Sequence, residues 1–307
     1  MGYTSEQLIS MIKANCQLPV SQNKFSNSNF LSFLNEELRL TITGELADIN
    51  QEYFVKYTDI PLVASQSDYE IPTTAIGWGM RDVGFVGADG VYNTLNEIQL
   101  ENIDRARINT ESTKPLAFYK QHTDIISIPS ISASPESGSW RIYFEKIQNE
   151  LILTTSCGRI NTILDTGTDY ILTLDSLPTT TNGVDIIGYK NPFNVIADGL
   201  TAVVGGFNVT VTKTGFTKAP VVGDYVAETG KTCYPNIPED FHGVLAMAAS
   251  IRVAIASKDE KQKNLLESAM ALMLNKLRKR SGNRSKGTVK KINPKNYVLS
   301  AMRGYRS

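Results

Sequence analysis

Cysteine and histidine are scarce in this chain: three cysteines and two histidines among 307 residues. Cys16, Cys157 and Cys233 lie far apart, form no C-x-x-C pair and leave one over if any two join, which argues against a disulfide framework. His122 and His242 stand in no H-E-x-x-H or H-x-E setting, so the usual zinc centres lack their ligands, and no metal or cofactor is expected. Long apolar runs are missing too. Val244 to Ala256 is only about 13 residues, is interrupted by Arg252, and falls short of the ~20 needed to cross a bilayer, so no membrane-spanning segment is expected. The opening MGYTSEQLIS has no basic region followed by an apolar one, and Glu6 breaks the myristoylation pattern; synthesis in the cytoplasm is the expectation.

An excess of either charge sign is also absent, since 31 basic residues balance 31 acidic ones. With 41 % hydrophobic and 20 % charged residues the chain is of the globular class, long enough for about two domains. The balance conceals an asymmetry. From Lys276 onward there are eleven basic residues and no Asp or Glu, so the first 275 positions hold 20 basic against 31 acidic residues, a net charge of −11. An acidic body carries a basic tail.

Periodicity divides the chain into five segments: 1–52, 53–150, 151–237, 238–281 and 282–307. Thr4 with Gln7 forms a capping-box pattern ahead of Leu8, Met11 and Ile12, and Pro19 ends that helix. Phe30, Leu34, Leu38, Ile42, Leu46 and Ile49 recur every three or four positions and predict a second helix from about Ser28 to Ile49, with a kink or frayed turn near Thr41, Thr43 and Gly44. From Tyr53 the period shortens to that of strands, at 53–57, 67–71, 82–86, 116–120, 125–128 and 140–144, with a hairpin turn at His122-Thr123 and one short helix over Leu95–Arg107. Segment 151–237 is rich in Thr, Gly, Val and Asp. Its turns at Asp165-Thr166-Gly167, Asn182-Gly183, Asp198-Gly199 and Gly205-Gly206 separate short strands, predicting a small all-β module, sandwich-like or barrel-like. Helix returns after Pro238, with one stripe through Phe241, Val244, Leu245, Ala248, Ile251 and Ile255 and a second helix restarting at Asp259. The expected fold is therefore α+β. N- and C-terminal helix pairs join in a four-helix bundle, an antiparallel β region and an all-β module are inserted between them, and an extended C-terminal arm follows.

Enzymatic motifs are weak. Ile163-Leu164-Asp165-Thr166-Gly167-Thr168 resembles the D-T-G of aspartic proteases, and Asp185-Ile186-Ile187-Gly188 their later apolar strand. There is no second D-T-G, and the interval is too short for that fold, so a β-turn is the simpler reading. Gly230-Lys231-Thr232 ends like a P-loop, but Tyr225 stands where the first glycine belongs and Pro235 and Pro238 follow. His242 reads as a packed or solvated residue, and Trp78 and Trp140 as filling of the β core or of a subunit contact. No catalytic residue is indicated.

The tail remains. Candidate partner-binding residues are Arg278, Lys279, Arg280, Arg284, Lys286, Lys290, Lys291, Ile292, Lys295, Tyr297, Leu299, Arg303, Tyr305 and Arg306, in which uncompensated cations alternate with apolar anchors. Three readings are open. The tail attaches to nucleic acid through phosphates, it lies as an arm on a neighbouring subunit, or it is a solvated end.

The two N-terminal helices ending in Leu38 to Ile49, the return Ile237-Pro238-Glu239-Asp240-Phe241 into an alanine-rich helix, the Asp259 to Arg280 helix and the basic C-terminus together resemble the head-to-tail connector proteins of tailed bacteriophages, also called adaptor, ring or tail tubular protein A-like proteins. Asp68-Tyr69-Glu70-Ile71-Pro72 leading to Arg81-Asp82-Val83 is similar to their β segments. The resemblance implies a structural virion protein without catalysis, placed in the neck between capsid portal and tail and assembled in the host bacterial cytoplasm. It implies a homo-oligomeric ring, usually of twelve copies, docked on the portal protein through C-terminal arms and presenting a platform to a downstream tail or ring protein. Genomic DNA would pass through the channel without specific binding. The alternatives are a nucleic-acid-binding module using the same tail, or another tail or baseplate component built on β modules.

Overall fold

The computed structural model describes residues 2–19, 24–49, 52–99, 101, 113–128, 136–176, 178, 183–190 and 195–282. Helix α1 (Ser5–Asn15) opens on the predicted capping box: the Thr4 side chain accepts from the Gln7 amide, and the Gln7 side chain accepts from the Thr4 amide at 2.9 Å. Ser26 and Asn29 repeat the device at α2 (Asn27–Glu37). The irregularity expected near Gly44 is a π turn over Leu38–Ile42, where the Thr43 hydroxyl donates to the Leu38 carbonyl at 2.7 Å, before α3 (Thr43–Ile49) continues.

Strands dominate the middle of the chain. The strands β1 (Val55–Pro61), β3 (Ala75–Gly87), β4 (Tyr92–Thr94) and β8 (Gly138–Lys146) form an antiparallel sheet in the order β1-β8-β3-β4. In β8 the alternation that marked a strand places Trp140, Ile142 and Phe144 inward. A second sheet, in the order β2-β7-β6-β5, is made of β2 (Asp68–Glu70), β5 (Asn96–Glu97), β6 (Ala117–Gln121) and β7 (Asp124–Ile128). The two sheets share a core in which Trp140 lies 5.6 Å from the Tyr69 ring. His122, with φ at 55°, turns the β6–β7 hairpin. The short helix expected over Leu95–Arg107 is not what Asn96–Glu97 forms; that pair is a strand parallel to β6, and residues 102–107 lie outside the described residues.

The all-β module is a seven-stranded sheet in the order β13-β12-β16-β10-β11-β15-β14. It is formed by β10 (Gly158–Asp165), β11 (Asp169–Leu174), β12 (Val184–Ile187), β13 (Val195–Leu200), β14 (Ala202–Gly205), β15 (Asn208–Thr212) and β16 (Tyr225–Glu228). Strand β10 pairs with β16 at its start and with β11 along its length, and side chains from both halves meet in one core of Ile160, Leu172, Ile186, Val209, Val211 and Val226. The sheet therefore folds over on itself, sandwich fashion. Two short strands, β9 (Glu150–Leu151) and β17 (Lys231–Thr232), pair in parallel where the module leaves and rejoins the body.

Helices α4 (His242–Ser257) and α5 (Glu260–Gly282) complete the described residues; Lys258 in the left-handed conformation separates them, and Asp259 caps α5 by accepting from the Gln262 amide at 3.0 Å. The expected four-helix bundle of an N-terminal and a C-terminal pair is not formed: the molecule is mixed α+β with strands in the majority. In α5, Leu266 and Leu274 are buried and Met270, Met273 and Leu277 pack against the core around α4, while Leu265 and Leu272 are left 60 % and 63 % exposed on the other side. Regular α-helix also ends at Glu37, where the π turn begins. Instead α4 is a single central helix. Its Val244, Leu245, Ala246, Ala249 and Val253 are wholly buried against Leu8, Ile12, Phe30 and Leu34 of α1 and α2. Glu37, itself buried, holds Arg252 Nε at 2.5 Å and accepts from the Thr41 hydroxyl at 2.6 Å, joining α2 to α4.

The stretch Glu239–Ser257 spans 19 residues with a mean hydropathy of 1.2, long and apolar enough by composition alone to cross a membrane, although 56 % of it is buried inside the fold. Including the turn ahead of α4 lengthens the apolar stretch beyond the run read from the sequence, and its apolar character is that of a core helix.

Candidate interaction surface

The last turn of α5 delivers the chain to its basic C-terminal stretch. Cations there complement the carbonyl end of a helix, and Lys279 and Arg280 occupy that position. Of the fourteen predicted contact residues, Arg278, Lys279 and Arg280 fall among the described residues. Arg284, Lys286, Lys290, Lys291, Ile292, Lys295, Tyr297, Leu299, Arg303, Tyr305 and Arg306 lie outside them. Two of the three described cations are engaged within the molecule: Arg278 donates through Nε at 3.0 Å and Nη2 at 2.5 Å to Glu45 of α3, and Arg280 faces Asp240 at 3.7 Å. Both pairs are exposed at the arginine, where such bridges add ~1 kcal/mol at most. Their effect is to hold the end of α5 against the body. Lys276 and Lys279 are exposed and form no ion pair among the described residues. Leu265 and Leu272, two turns apart, extend the same helix as exposed apolar groups. The spacing puts Leu265 on the same stripe as the buried Leu266, because periodicity alone does not tell which positions of an amphipathic helix a neighbour covers.

The enzyme-like motifs dissolve into structural roles. Asp165 sits at the β10–β11 turn, accepts from the Gly167 amide at 2.8 Å and pairs with Lys213; those two partners hold its carboxyl below the usual range. Asp185 lies elsewhere, buried in β12. Its Oδ2 accepts from Asn149 Nδ2 at 2.8 Å and the Gly230 amide at 2.9 Å, and its Oδ1 from the Gly199 amide at 2.7 Å. Burial, reinforced by Asp198, pushes this carboxyl up to about 6. Each aspartate thus has its own partners, and no proton-sharing dyad is assembled from the two. Gly230 serves Asp185, and Lys231-Thr232 is strand β17, with Lys231 donating to Glu228 at 2.6 Å, so the P-loop lookalike has neither the loop nor the helix that phosphate binding needs.

His242 is buried at the start of α4. Its Nδ1 accepts from the Tyr3 amide at 3.0 Å and its Nε2 lies 3.2 Å from the Ile237 carbonyl, a geometry that requires the neutral ring with the proton on Nε2. Desolvation lowers its pKa. A depressed histidine binds fewer protons folded than unfolded, so the stability it contributes is present above pH ~6.5 and is lost as pH falls through the folded value. Thermal melts of wild type and His242→Gln across pH 7.5 to 5 check this: wild type is expected to lose melting temperature relative to the variant on the acid side.

Cys157 and Cys233, 76 positions apart, meet in one small core with Tyr234 and Ile187. Both are free thiols, and burial together with its neighbour raises the Cys233 thiol well above the ordinary value. Nothing in the spacing of the cysteines announced this meeting; it is a product of the β9–β17 pairing. No protein-family model and no curated protein matches this chain.

Proposed function

We propose that this chain is a structural component of the neck of a tailed bacteriophage particle. Copies close into a ring of twelve between portal protein and tail, the C-terminal arm docks on the portal, and the opposite side presents a platform to a downstream tail or ring protein. The observation that carries the reading is the charge division. A body of net −11 over residues 1–275 is joined through the exposed end of α5 to a stretch with eleven basic residues and no acidic one. An acidic ring lets genomic DNA slide without adhering, since like charge repels phosphate. A basic arm with interspersed Ile292, Tyr297, Leu299 and Tyr305 supplies steering charge and apolar anchors for an acidic neighbour. A closed ring requires two different faces per subunit, and the helical side and the β module provide faces of different chemistry. In this role the protein performs no catalysis, needs no cofactor, is assembled in the host cytoplasm and resides in the virion.

The test mixes purified protein with portal particles and images them by electron microscopy, with and without residues 283–307. Full-length chain is expected to form rings on portals and the truncated chain to leave them bare. Monomers that ignore portals yet shift duplex DNA at low salt, with binding that weakens steeply as salt rises, would replace this reading by the nucleic-acid module.

A further inference from the structure

We infer that the cleft where the β module meets the body binds a phosphorylated small molecule that also carries an apolar ring and a hydroxyl or amino donor. The cleft encloses about 610 Å³, within the range of small-molecule sites. Its apolar wall is made by Phe54, Ile196 and the half-buried Tyr53. Around it stand Lys56 from β1, Lys146 from the end of β8, Lys190 after β12 and Lys218 from the loop before β16. Lys146 is bound to Asp198, whereas Lys56, Lys190 and Lys218 are exposed and form no ion pair among the described residues. The acid within the cleft is Asp224, and its two carboxylate oxygens are occupied by the Tyr189 amide at 3.1 Å and the Val221 amide at 2.7 Å. Four lysines against Asp198 and Asp224 leave the cleft net positive; Lys190 stands 5.6 Å from the Tyr189 ring, and Lys56, Lys190 and Lys218 are the cations on the cleft lining that carry charge-assisted donors for a phosphate.

The second requirement comes from Asn236. Its Oδ1 is buried at the cleft wall with no hydrogen-bond partner among the described residues, although a buried amide oxygen is ordinarily satisfied. A lysine-lined cleft that also holds an unused acceptor calls for a ligand with both anionic oxygens and a donor group. A bare anion supplies only the first. The apolar wall adds the preference for a ring.

ADP is the probe, titrated calorimetrically into the full chain at low salt beside adenosine and pyrophosphate. One saturable ADP site per chain is expected, with adenosine and pyrophosphate each at least about tenfold weaker because each lacks part of the recognition. The triple variant Lys56→Ala, Lys190→Ala and Lys218→Ala should weaken ADP by at least about tenfold at unchanged melting temperature, since all three side chains are exposed. Asn236→Leu should weaken ADP severalfold and leave pyrophosphate unaffected. Absence of saturable ADP binding, or an affinity indifferent to the three lysines, overturns the assignment. So does duplex DNA that displaces ADP with the same lysine dependence, because the cations would then serve a nucleic-acid backbone.

Discussion

Replacing Asp185 by alanine is expected to lower the unfolding free energy by about 3–5 kcal/mol, the largest single effect of a polar substitution in this molecule. The carboxylate gathers Asn149 Nδ2, the Gly199 amide and the Gly230 amide, three donors contributed from the link into the β module, from β13 and from the link out of it. Removing it leaves buried donors without an acceptor, and the loss falls on the seam between module and body. The pH dependence has a defined sign. Burial raises this carboxyl to about 6, so between the unfolded value near 4 and that figure the folded chain holds a proton that the unfolded chain has released. The contribution to stability is full at the acid side and is lost as pH rises through 6. The gap in melting temperature between wild type and Asp185→Ala should accordingly be wider at pH 5 than at pH 7. Equal gaps at both pH values would contradict the raised carboxyl, and a loss below about 1 kcal/mol, the ordinary surface range, would contradict the role assigned to the three bonds.

The second large effect is expected at Trp140. It is fully buried between the sheets β1-β8-β3-β4 and β2-β7-β6-β5 and is the largest of the wholly buried side chains among the described residues. Trp140→Ala should cost about 3–5 kcal/mol through lost apolar burial and the cavity left behind. Its indole Nε1 has no hydrogen-bond partner among the described residues. Trp140→Phe therefore forfeits volume but no bond, and about 1–2 kcal/mol is expected. Chemical denaturation of both variants checks the pair. A phenylalanine variant as damaged as the alanine one would show that the indole nitrogen is engaged after all.

Much of the strand inventory was legible before the structure because it rests on alternation along a few residues. Trp140, Ile142 and Phe144 announce β8, and His122-Thr123 announces the turn between β6 and β7. What escaped depends on distant partners. Strand β13 has no strand signal of its own, because Asp198-Gly199 reads as a turn; Gly199 takes φ at 65°, but its amide is fixed by Asp185, and the ladder with β12 continues past a register shift. Strands β9 and β17 are two residues each and exist through each other. The bundle failed for a related reason. Both segments are helical as their periodicity implies, but Ile255 at the end of the α4 stripe is 49 % exposed and Leu265 on α5 is 60 % exposed beside the buried Leu266, and periodicity carries no information on coverage. At the candidate surface the basic arm was a feature of composition alone, whereas the engagement of Arg278 by Glu45 joins positions 233 apart. The lysine cleft draws on residues from Tyr53 to Asn236 and has no linear signature at all.

The burial of α1 has a consequence for biosynthesis. Leu8, Ile9 and Ile12 are covered by α4, and the first residues are tied down by the Tyr3 amide on His242 and the Ser5 amide on the Cys233 carbonyl at 2.9 Å. None of these partners exists when α1 leaves the ribosome. At translation speeds of about 5–20 residues per second, its apolar face waits on the order of 10–50 s for α4 to emerge. Until then only α2 can cover it, and closure of the helical core on α4 is a late, high-contact-order event.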